Sequence, residues 1–302
     1  MGALTTSRTG PADAAGGRAR PKARRERPAI LRLARRPSAA IGALVLLAIV
    51  LLAIAAPFAT PHDPMQLAVR NRLQAPSLVH WMGTDELGRD VFTRLLYAGR
   101  TSLAVGFAVV ILAALAGVTL GLLAGFFRRL DAPISRVVDA MMAFPDILLA
   151  IALVAALGPS AANVVIALAI VYAPRIARVV RASTLVIREL PYVEAARALG
   201  VPTPVILVRH VLRNVVSPLL VQATFVFANA ILAEAGLSFL GVGVSPQVPT
   251  WGTMISVGRQ FLDAAPWIMW APGAAIVLTV LSLQLVGDGL RDFLDPRLAK
   301  DV

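Results

Sequence analysis

The sequence predicts an all-α, polytopic membrane protein with six transmembrane helices, and three observations support this prediction. Hydrophobic residues make up 58% of the 302 residues and charged residues only 15%, whereas soluble domains average about 45–50% apolar and about 25% charged residues. The mean hydropathy is +0.75. The apolar residues form separate runs with basic residues at their ends. An apolar excess of this size fits a protein whose outer surface also faces hydrocarbon.

Six apolar runs are long enough to cross a bilayer. The first run follows a basic tail, and its roughly 20 residues rise about 30 Å as a helix, which is the thickness of a hydrocarbon core. The apolar region of a cleaved signal peptide is shorter, so we predict an uncleaved helix. The runs cover residues 39–58, 102–127, 138–157, 163–180, 215–237 and 268–286.

The runs divide the chain into four parts. These are a basic tail (1–37), the first helix with an outer segment (38–100), a core with five helices (101–290) and a second tail (291–302). The first tail holds ten basic residues, and its low apolar content predicts disorder. Two roles for it stay open: a contact with anionic lipid or a partner, and a flexible tail that only orients the chain.

The distribution of Lys and Arg predicts the orientation. If the N-terminus lies in the cytoplasm, the inner segments hold 23 of the 29 basic residues and the outer segments hold six. Because this bias satisfies the positive-inside rule, both termini are predicted to be cytoplasmic. The net charge of +12 is not arranged on a face interleaved with aromatic residues, so nucleic acid is not a predicted partner.

Several catalytic motifs are absent from the sequence. The two lysines, Lys22 and Lys300, lack the Gly-Lys-Ser/Thr context of a phosphate-binding loop. The three histidines lack the paired spacing of a helical zinc site, and no Gly-x-Ser-x-Gly elbow occurs. The chain has no Cys, which excludes disulfides, thiolate metal ligands and Cys nucleophiles. We therefore predict a non-enzymatic chain that binds no metal or cofactor itself.

Three carboxylates lie within predicted spans. Asp139 and Asp146 are seven residues apart, which on one helix places them on one face but about 10.5 Å apart, too far to share a proton. A structural interpretation places Asp139 at the membrane interface near Arg136 and lets Asp146 find a partner at the irregularity made by Pro145. A functional interpretation places Asp146 and Glu234 along a polar pathway or gate, since charges within spans usually face the bundle interior.

A loop of about 30 residues, 181–214, separates the fourth run from the fifth and predicts two short helices. Pro191 suits the first turn of a helix, and Gly200 is a natural residue just beyond a helix C-terminus. Thr203 is predicted to cap the second helix, with Pro204 in its first position. The loop should therefore carry a short helix on the cytoplasmic surface.

Ala195 and Ala196 in the first of these helices are small and adjacent, so a partner surface can approach closely. A surface helix without a partner is the alternative. Residues 194–200, Glu-Ala-Ala-Arg-Ala-Leu-Gly, resemble the EAA loop of permease subunits in binding-protein-dependent ABC importers. The resemblance implies a coupling helix that sits in a cleft of the ATPase, formed by Glu194, Ala195, Ala196, Arg197 and Gly200.

Other stretches are similar to the "C"-type permeases of dipeptide and oligopeptide (and nickel or glutathione) importers. They are residues 83–92 (GTDELGRDVF), 237–243 (LSFLGVG), 251–252 (WG) and 287–297 (GDGLRDFLDPR). The chain departs from the family at 212–214, where it has Leu-Arg-Asn and the family often has Leu-Pro-Asn. Four residues of the first stretch are predicted either to contact the binding protein or to cap the helix ends: Asp85, Glu86, Arg89 and Asp90.

The resemblance implies the transmembrane domain of a type I ABC importer in a bacterial inner membrane. The implied partners are a homologous second permease, ATPase subunits that carry ATP and Mg²⁺, and an extracytoplasmic solute-binding protein. The implied substrate is a di- or oligopeptide moved by alternating access. Two alternatives stay open. An ATP-independent channel or carrier needs no docking loop, and an intramembrane enzyme needs paired carboxylates, a Ser/His pair or a metal cluster in its spans.

Overall fold

The computed structural model describes residues 37–294, so nearly all of the predicted basic tail and residues 295–302 lie outside the described part. Within residues 37–294 the fold is helical, and the β structure is limited to one isolated bridge between Thr84 and Asp90. The helices are α1 Pro37–Ala59, α2 Val91–Phe126, α3 Arg128–Met142, α4 Asp146–Leu157, α5 Ala161–Ile187, α6 Pro191–Ala198, α7 Thr203–Phe239, α8 Trp251–Gly258 and α9 Trp267–Leu294, with 3₁₀ turns at Val69–Asn71 and Arg259–Phe261.

Five helices, α1, α2, α5, α7 and α9, are long and apolar enough to cross a membrane. Helices α3 and α4 meet at a bend of 93° and count together as a sixth, broken span. The predicted span over residues 138–157 is therefore not one continuous helix, because it is broken between Met142 and Asp146. Pro145 explains the break, because it precedes α4 at the N-cap position and disfavours helical geometry in the residue before it. Asp139 and Asp146 accordingly lie on two helices, not on one helix face.

Helix ends differ from the predicted runs in three places. Helix α2 begins well before its apolar run because Asp90 accepts a hydrogen bond from the backbone N–H of Thr93 at 2.7 Å and caps it. Helix α5 continues to Ile187. Thr203, predicted to cap a second loop helix, instead opens α7, which enters the span through the π-helical stretch Ile206–Leu212. The predicted second helix is therefore the first part of the fifth span.

Within residues 37–294, the most extensive contact between two helices is that of α2 with α5. Three glycines at four-residue spacing on α2, Gly117, Gly121 and Gly125, face α5 and form what we call the glycine ridge. A Cβ on Gly121 would lie 2.6 Å from the Cβ of Val180 and 2.7 Å from the carbonyl oxygen of Ala177. Small residues at this spacing let membrane helices approach to backbone contact. The ridge therefore holds α2 and α5 together as one unit.

Helix α1 packs at the edge of the bundle. Its Gly42 faces α9, where a Cβ would lie 2.7 Å from the Cβ of Leu285 and 3.0 Å from the carbonyl oxygen of Ser282. On its other face, α1 exposes large apolar side chains such as Leu44 and Ile54. An uncovered apolar face of this kind suits contact with hydrocarbon.

The two ends of the bundle are built differently. At the cap end, residues 60–90, α8 and the start of α9 form a layer over the helix ends. The indole N–H of Trp267 donates to the carbonyl oxygen of Thr84 at 3.2 Å, and that of Trp251 donates to the carbonyl oxygen of Leu95 at 3.2 Å. The opposite, loop end carries α6 together with the C-terminal ends of α2 and α5.

Candidate functional site

Helix α6 has both of the ends that the sequence predicts. Pro191 occupies its first turn, and Gly200 follows it with a φ of +75°, in the left-handed region. The backbone N–H of Val201 donates to the carbonyl oxygen of Ala196 at 3.0 Å, and that of Gly200 donates to Arg197 at 3.0 Å. These two bonds form a Schellman ending. The helix is therefore short and fixed at both ends.

One face of α6 packs on the chain and the other is uncovered. Val193 and Ala196 are buried in the main hydrophobic cluster, so Ala196 contacts this chain's own core. Glu194 and Ala195 are exposed, and no ion pair to Glu194 forms within residues 37–294. Leu199 is 84% exposed. The outer face thus offers a carboxylate, a small residue and an apolar side chain to a surface outside the chain.

Two arginines attach this loop to the end of α2. The guanidinium carbon of Arg197 lies 4.6 Å from the ring centroid of Phe126, within the range of a cation–π interaction. The Nη1 atom of Arg188 donates to the carbonyl oxygen of Gly125 at 2.6 Å, which satisfies one of the free carbonyls at the C-terminus of α2. A displacement of α6 therefore acts directly on α2.

Residues 83–94 form a buried charged network at the cap end. Nε of Arg89 donates to Oδ2 of Asp85 at 2.6 Å, and Nη2 of Arg89 donates to Oε1 of Glu86 at 2.8 Å. Nε of Arg94 lies 3.5 Å from the same Asp85 oxygen. Burial raises the pKa of the Glu86 carboxyl above its ordinary value, and the neighbouring Asp85 carboxylate raises this pKa further. Burial and Asp85 thus oppose ionisation of Glu86, although Arg89 and Arg94 favour it.

Asp90 joins this network to the start of α2. Its Oδ1 accepts from the backbone N–H and the hydroxyl of Thr93, and its Oδ2 lies 3.0 Å from Nδ1 of His80. The turn before it is tight, because a Cβ on Gly88 would lie 1.9 Å from the carbonyl oxygen of Ala68. Most of the charged groups in this stretch therefore point into the chain.

Glu234 on α7 joins three helices at the cap end, and it is 1% exposed. Its Oε1 accepts from the hydroxyl of Ser238 at 2.8 Å and from that of Thr250 at 2.9 Å. Thr250 is the N-cap of α8, and the next N–H, of Trp251, donates to the hydroxyl of Ser102 on α2 at 3.1 Å. Glu234 thus holds α8 against α2 and α7.

The aspartates of α3 and α4 pair with arginines of α5. Asp146, in the first turn of α4, forms an ion pair with Arg175, so it has a partner next to the irregularity at the bend. Asp139 pairs with Arg178 at 2.7 Å. The sequence predicted Asp139 near Arg136 but not its ion-pair partner, which reaches it because α3 packs beside α5 and brings the α5 guanidinium groups to the acids.

Comparison with known proteins decides the family. Residues 117–300 match the family described as "binding-protein-dependent transport system inner membrane component". Residues 27–76 match the "N-terminal TM domain of oligopeptide transport permease C". The chain belongs to this family of inner-membrane permeases. The first match alone covers more than half of its length.

The relatives of this permease align with it over nearly their whole length. A putative peptide transport system permease protein of Brucella suis is 52% identical over 267 residues, which is 88% of this chain and 90% of that protein. A dipeptide transport system permease protein of Alkalihalophilus pseudofirmus is 46% identical over 273 residues, 90% of each chain. A glutathione transport system permease protein of Pectobacterium atrosepticum is 44% identical over 269 residues, 88% and 89% of the two chains.

The site residues predicted for the permease fall into three places. Residues 194–200 lie at the loop end, residues 83–92 and Glu234 lie at the cap end, and Asp146 lies between them. Over residues 37–294, no three His, Asp or Glu side chains gather as metal ligands would.

The arginines of α5 carried a signal in the sequence that they have acidic partners, since guanidinium groups at three-residue spacing beside an apolar run are costly in a membrane. Sequence reasoning missed the partners of the predicted residues: His80, Arg94, Ser102, Arg175, Arg178 and Thr250.

Proposed function

We propose that this chain is one permease of a pair in an ATP-driven importer of di- or oligopeptides. The observation that carries the proposal is α6, a short helix fixed at both ends, attached to α2 and exposing Glu194 and Ala195 to a partner. The peptide substrate is supported by relatives named for peptide, dipeptide and glutathione transport. The family of transport permeases argues against an intramembrane enzyme.

The proposed partners are a homologous second permease, cytoplasmic ATPases that bind ATP and Mg²⁺, and an extracytoplasmic solute-binding protein. ATP hydrolysis belongs to the ATPases because this sequence has no phosphate-binding loop. From the excess of basic residues we infer that the loop end and both termini are cytoplasmic and that the cap end is outside. With this orientation, α6 faces the ATPases and the cap faces the binding protein.

The geometry supports a specific route for ATPase motion into the membrane. Closure of the ATPases around ATP displaces α6, and Arg197 and Arg188 pass this displacement to the end of α2. Because the glycine ridge holds α2 against α5, the two helices tilt together. Alternating access then follows as a rigid-body change, driven by the different affinity of the two states for ATP.

At the cap end we assign the charged residues a structural role. Asp85, Arg89 and Asp90 are buried among their own partners, so they fix the start of α2 and leave no charge free for a binding protein. Glu234 likewise fixes the start of α8, through its hydrogen bond from Thr250. The outer side of the cap exposes Leu78 and other apolar groups, and this side is available to the binding protein.

Reconstitution tests the proposed function. The chain, a second permease, the ATPases and the binding protein are assembled in liposomes that enclose ATP. We expect uptake of a dipeptide that needs both enclosed ATP and external binding protein. Uptake by this chain alone, without ATP, would establish a channel or carrier and would contradict the proposal.

Glu194→Lys is expected to weaken ATPase association about thirtyfold, or about 2 kcal/mol, because it places a cation where an exposed carboxylate meets the partner. Binding of the ATPases to the permeases in detergent measures this effect. Asp263→Lys is the matched control, since it reverses the charge of another exposed acid at the cap end. Unchanged association of the Glu194→Lys variant would remove α6 as the docking site.

Arg197→Ala is expected to leave ATPase docking intact but to weaken the transmission of ATPase motion to α2. It removes the guanidinium from the Phe126 ring, a contact worth about 1 kcal/mol, but leaves Glu194 in place. We expect normal ATPase association and about fivefold less peptide imported per ATP hydrolysed. Arg197→Lys, which keeps the cation, should recover part of the lost peptide import per ATP hydrolysed. Loss of association in Arg197→Ala would instead assign Arg197 to the docking surface.

A further inference from the structure

Three aspartates of the α3–α4 hairpin face three arginines of α5 in antiparallel order. The arginines follow one another at three-residue spacing, so they form one slanted row on α5. The pair nearest the loop end is bidentate, with N–O distances of 2.5 and 3.0 Å. The pairs, which we call the ion-pair ladder, are Asp131–Arg181, Asp139–Arg178 and Asp146–Arg175.

The ladder reaches the middle of a spanning helix and is still uncovered. Arg175 lies about 21 Å along α5 from Ala161 and about 18 Å from Ile187. Its side chain is 36% exposed and that of Asp146 is 35% exposed. A charge at the bilayer centre costs about 2.5–3.5 kcal/mol on insertion scales, and such charges face the bundle interior or a water-filled cavity. This face of the chain therefore meets water or protein and not lipid.

The break in the backbone lies on the same face of the chain as the ion-pair ladder. Between α3 and α4 the chain leaves helical geometry at residues 143–145, whose side chains are exposed. Irregular backbone at membrane depth is tolerated only where it is buried in protein or lines a water-filled cavity. Helix α1, in contrast, is unbroken and has no charged residue. Charge and broken backbone thus both indicate that the hairpin faces water or protein and not lipid.

We propose that the ion-pair ladder lines the peptide passage and binds the two charged termini of the peptide, a proposal that rests on the function proposed above. A free peptide carries an ammonium group at one end and a carboxylate at the other. At Asp146 and Arg175, the peptide carboxylate binds the guanidinium and the peptide ammonium binds the aspartate. Because no charge is left unpaired in this exchange, the free-energy cost of separating the ion pair stays low. The next two pairs repeat the exchange toward the cytoplasm.

Arg175 is supported independently of its aspartate. Its guanidinium carbon lies 5.6 Å from the ring centroid of Tyr172. Tyr172 is buried, and its hydroxyl donates to the carbonyl oxygen of Asn229 on α7 at 3.3 Å. This support keeps the cation in place when Asp146 turns to a peptide ammonium.

The first test removes the charges in the complete transporter. Arg175→Gln and Asp146→Asn each leave one charge unpaired, and we expect uptake of a dipeptide with free termini to fall about tenfold in each, about 1.4 kcal/mol. The double variant Asp146→Asn with Arg175→Gln separates the two roles. If the pair is only structural, the two neutral side chains can hydrogen-bond to each other and uptake recovers in the double variant. If the charges bind the peptide, uptake by the double variant stays low.

The second test uses the absence of Cys from the chain. Ala143→Cys at the bend and Ala48→Cys on α1 make the same change at exposed alanines on two different faces. In the complete transporter hydrolysing ATP, a membrane-impermeant thiol reagent is expected to modify the Ala143→Cys variant, and a saturating dipeptide is expected to slow this modification. The Ala48→Cys variant should stay unmodified because its face meets lipid.

The outcomes distinguish this inference from the proposed function. If the transporter imports dipeptide and the two single charge variants import it equally well, or if uptake recovers in the double variant, the ladder does not bind the peptide. If the reagent never reaches the Ala143→Cys variant, the second permease covers this face and the inference is overturned. If the unaltered transporter imports no peptide at all, the proposed function itself is wrong.

Discussion

A Gly121→Val variant is expected to fail to assemble into a folded permease. The Cβ alone would lie 2.6 Å from the Cβ of Val180 and 2.7 Å from the carbonyl oxygen of Ala177, and valine adds two methyl groups. Because that carbonyl belongs to the α5 backbone, no side-chain rotation relieves the contact and the helices must separate. Overpacking of a close core costs about 1–3 kcal/mol and sometimes more, and we expect the upper end of this range or beyond it.

Matched alanine variants make this prediction quantitative. Gly121→Ala introduces the smallest possible side chain at the ridge, whereas Gly273→Ala on α9 introduces the same group where nothing lies within 4 Å. Alanine is favoured over glycine inside a helix by about 1 kcal/mol. Thermal unfolding in detergent should therefore give a lower midpoint for Gly121→Ala and an unchanged or higher midpoint for Gly273→Ala. Equal midpoints for the two variants would contradict the close contact of α2 with α5.

The features that the sequence predicted correctly are local in the chain. Hydropathy sums over neighbouring residues, so apolar runs identify the spans. Pro191 and Gly200 act within one helical turn, so they predict both ends of α6. Pro145 likewise predicted an irregularity in the span over residues 138–157, but hydropathy did not predict the 93° bend that divides this span into two helices. Average hydropathy contains no information on the backbone restriction that Pro145 imposes on its neighbour.

The partners of the site residues lie too far away in sequence to be predicted. Asp146 and Arg175 are 29 residues apart, and Trp251 and Ser102 are 149 residues apart. Their meeting depends on which helices pack together: α4 against α5 for the first pair, and α8 against α2 for the second. Local reasoning noted only that Arg136 lies near Asp139, whereas the ion-pair partner of Asp139 is Arg178 on α5. The chemistry of the ladder is therefore visible only in the folded chain.

Arg89→Met is expected to cause the other large loss of stability. Arg89 donates to both Asp85 and Glu86 from a buried position. Methionine would leave Asp85 with its backbone hydrogen bonds and the 3.5 Å contact to Arg94, and it would leave Glu86 without its ion pair. Removing one partner of a buried pair costs about 3–5 kcal/mol, because the remaining charge is uncompensated. We expect about 3 kcal/mol, since Glu86 keeps some contact with solvent.

Two comparisons identify the cause of that loss. Arg72→Met, at an exposed arginine of the same outer segment, should leave the thermal midpoint nearly unchanged. Burial raises the pKa of Glu86, so its protonated form is favoured by folding, and the penalty should shrink as pH falls from about 8 to about 5. If the Arg89→Met permease unfolds at the same temperature as Arg72→Met across this range, the network does not hold the cap.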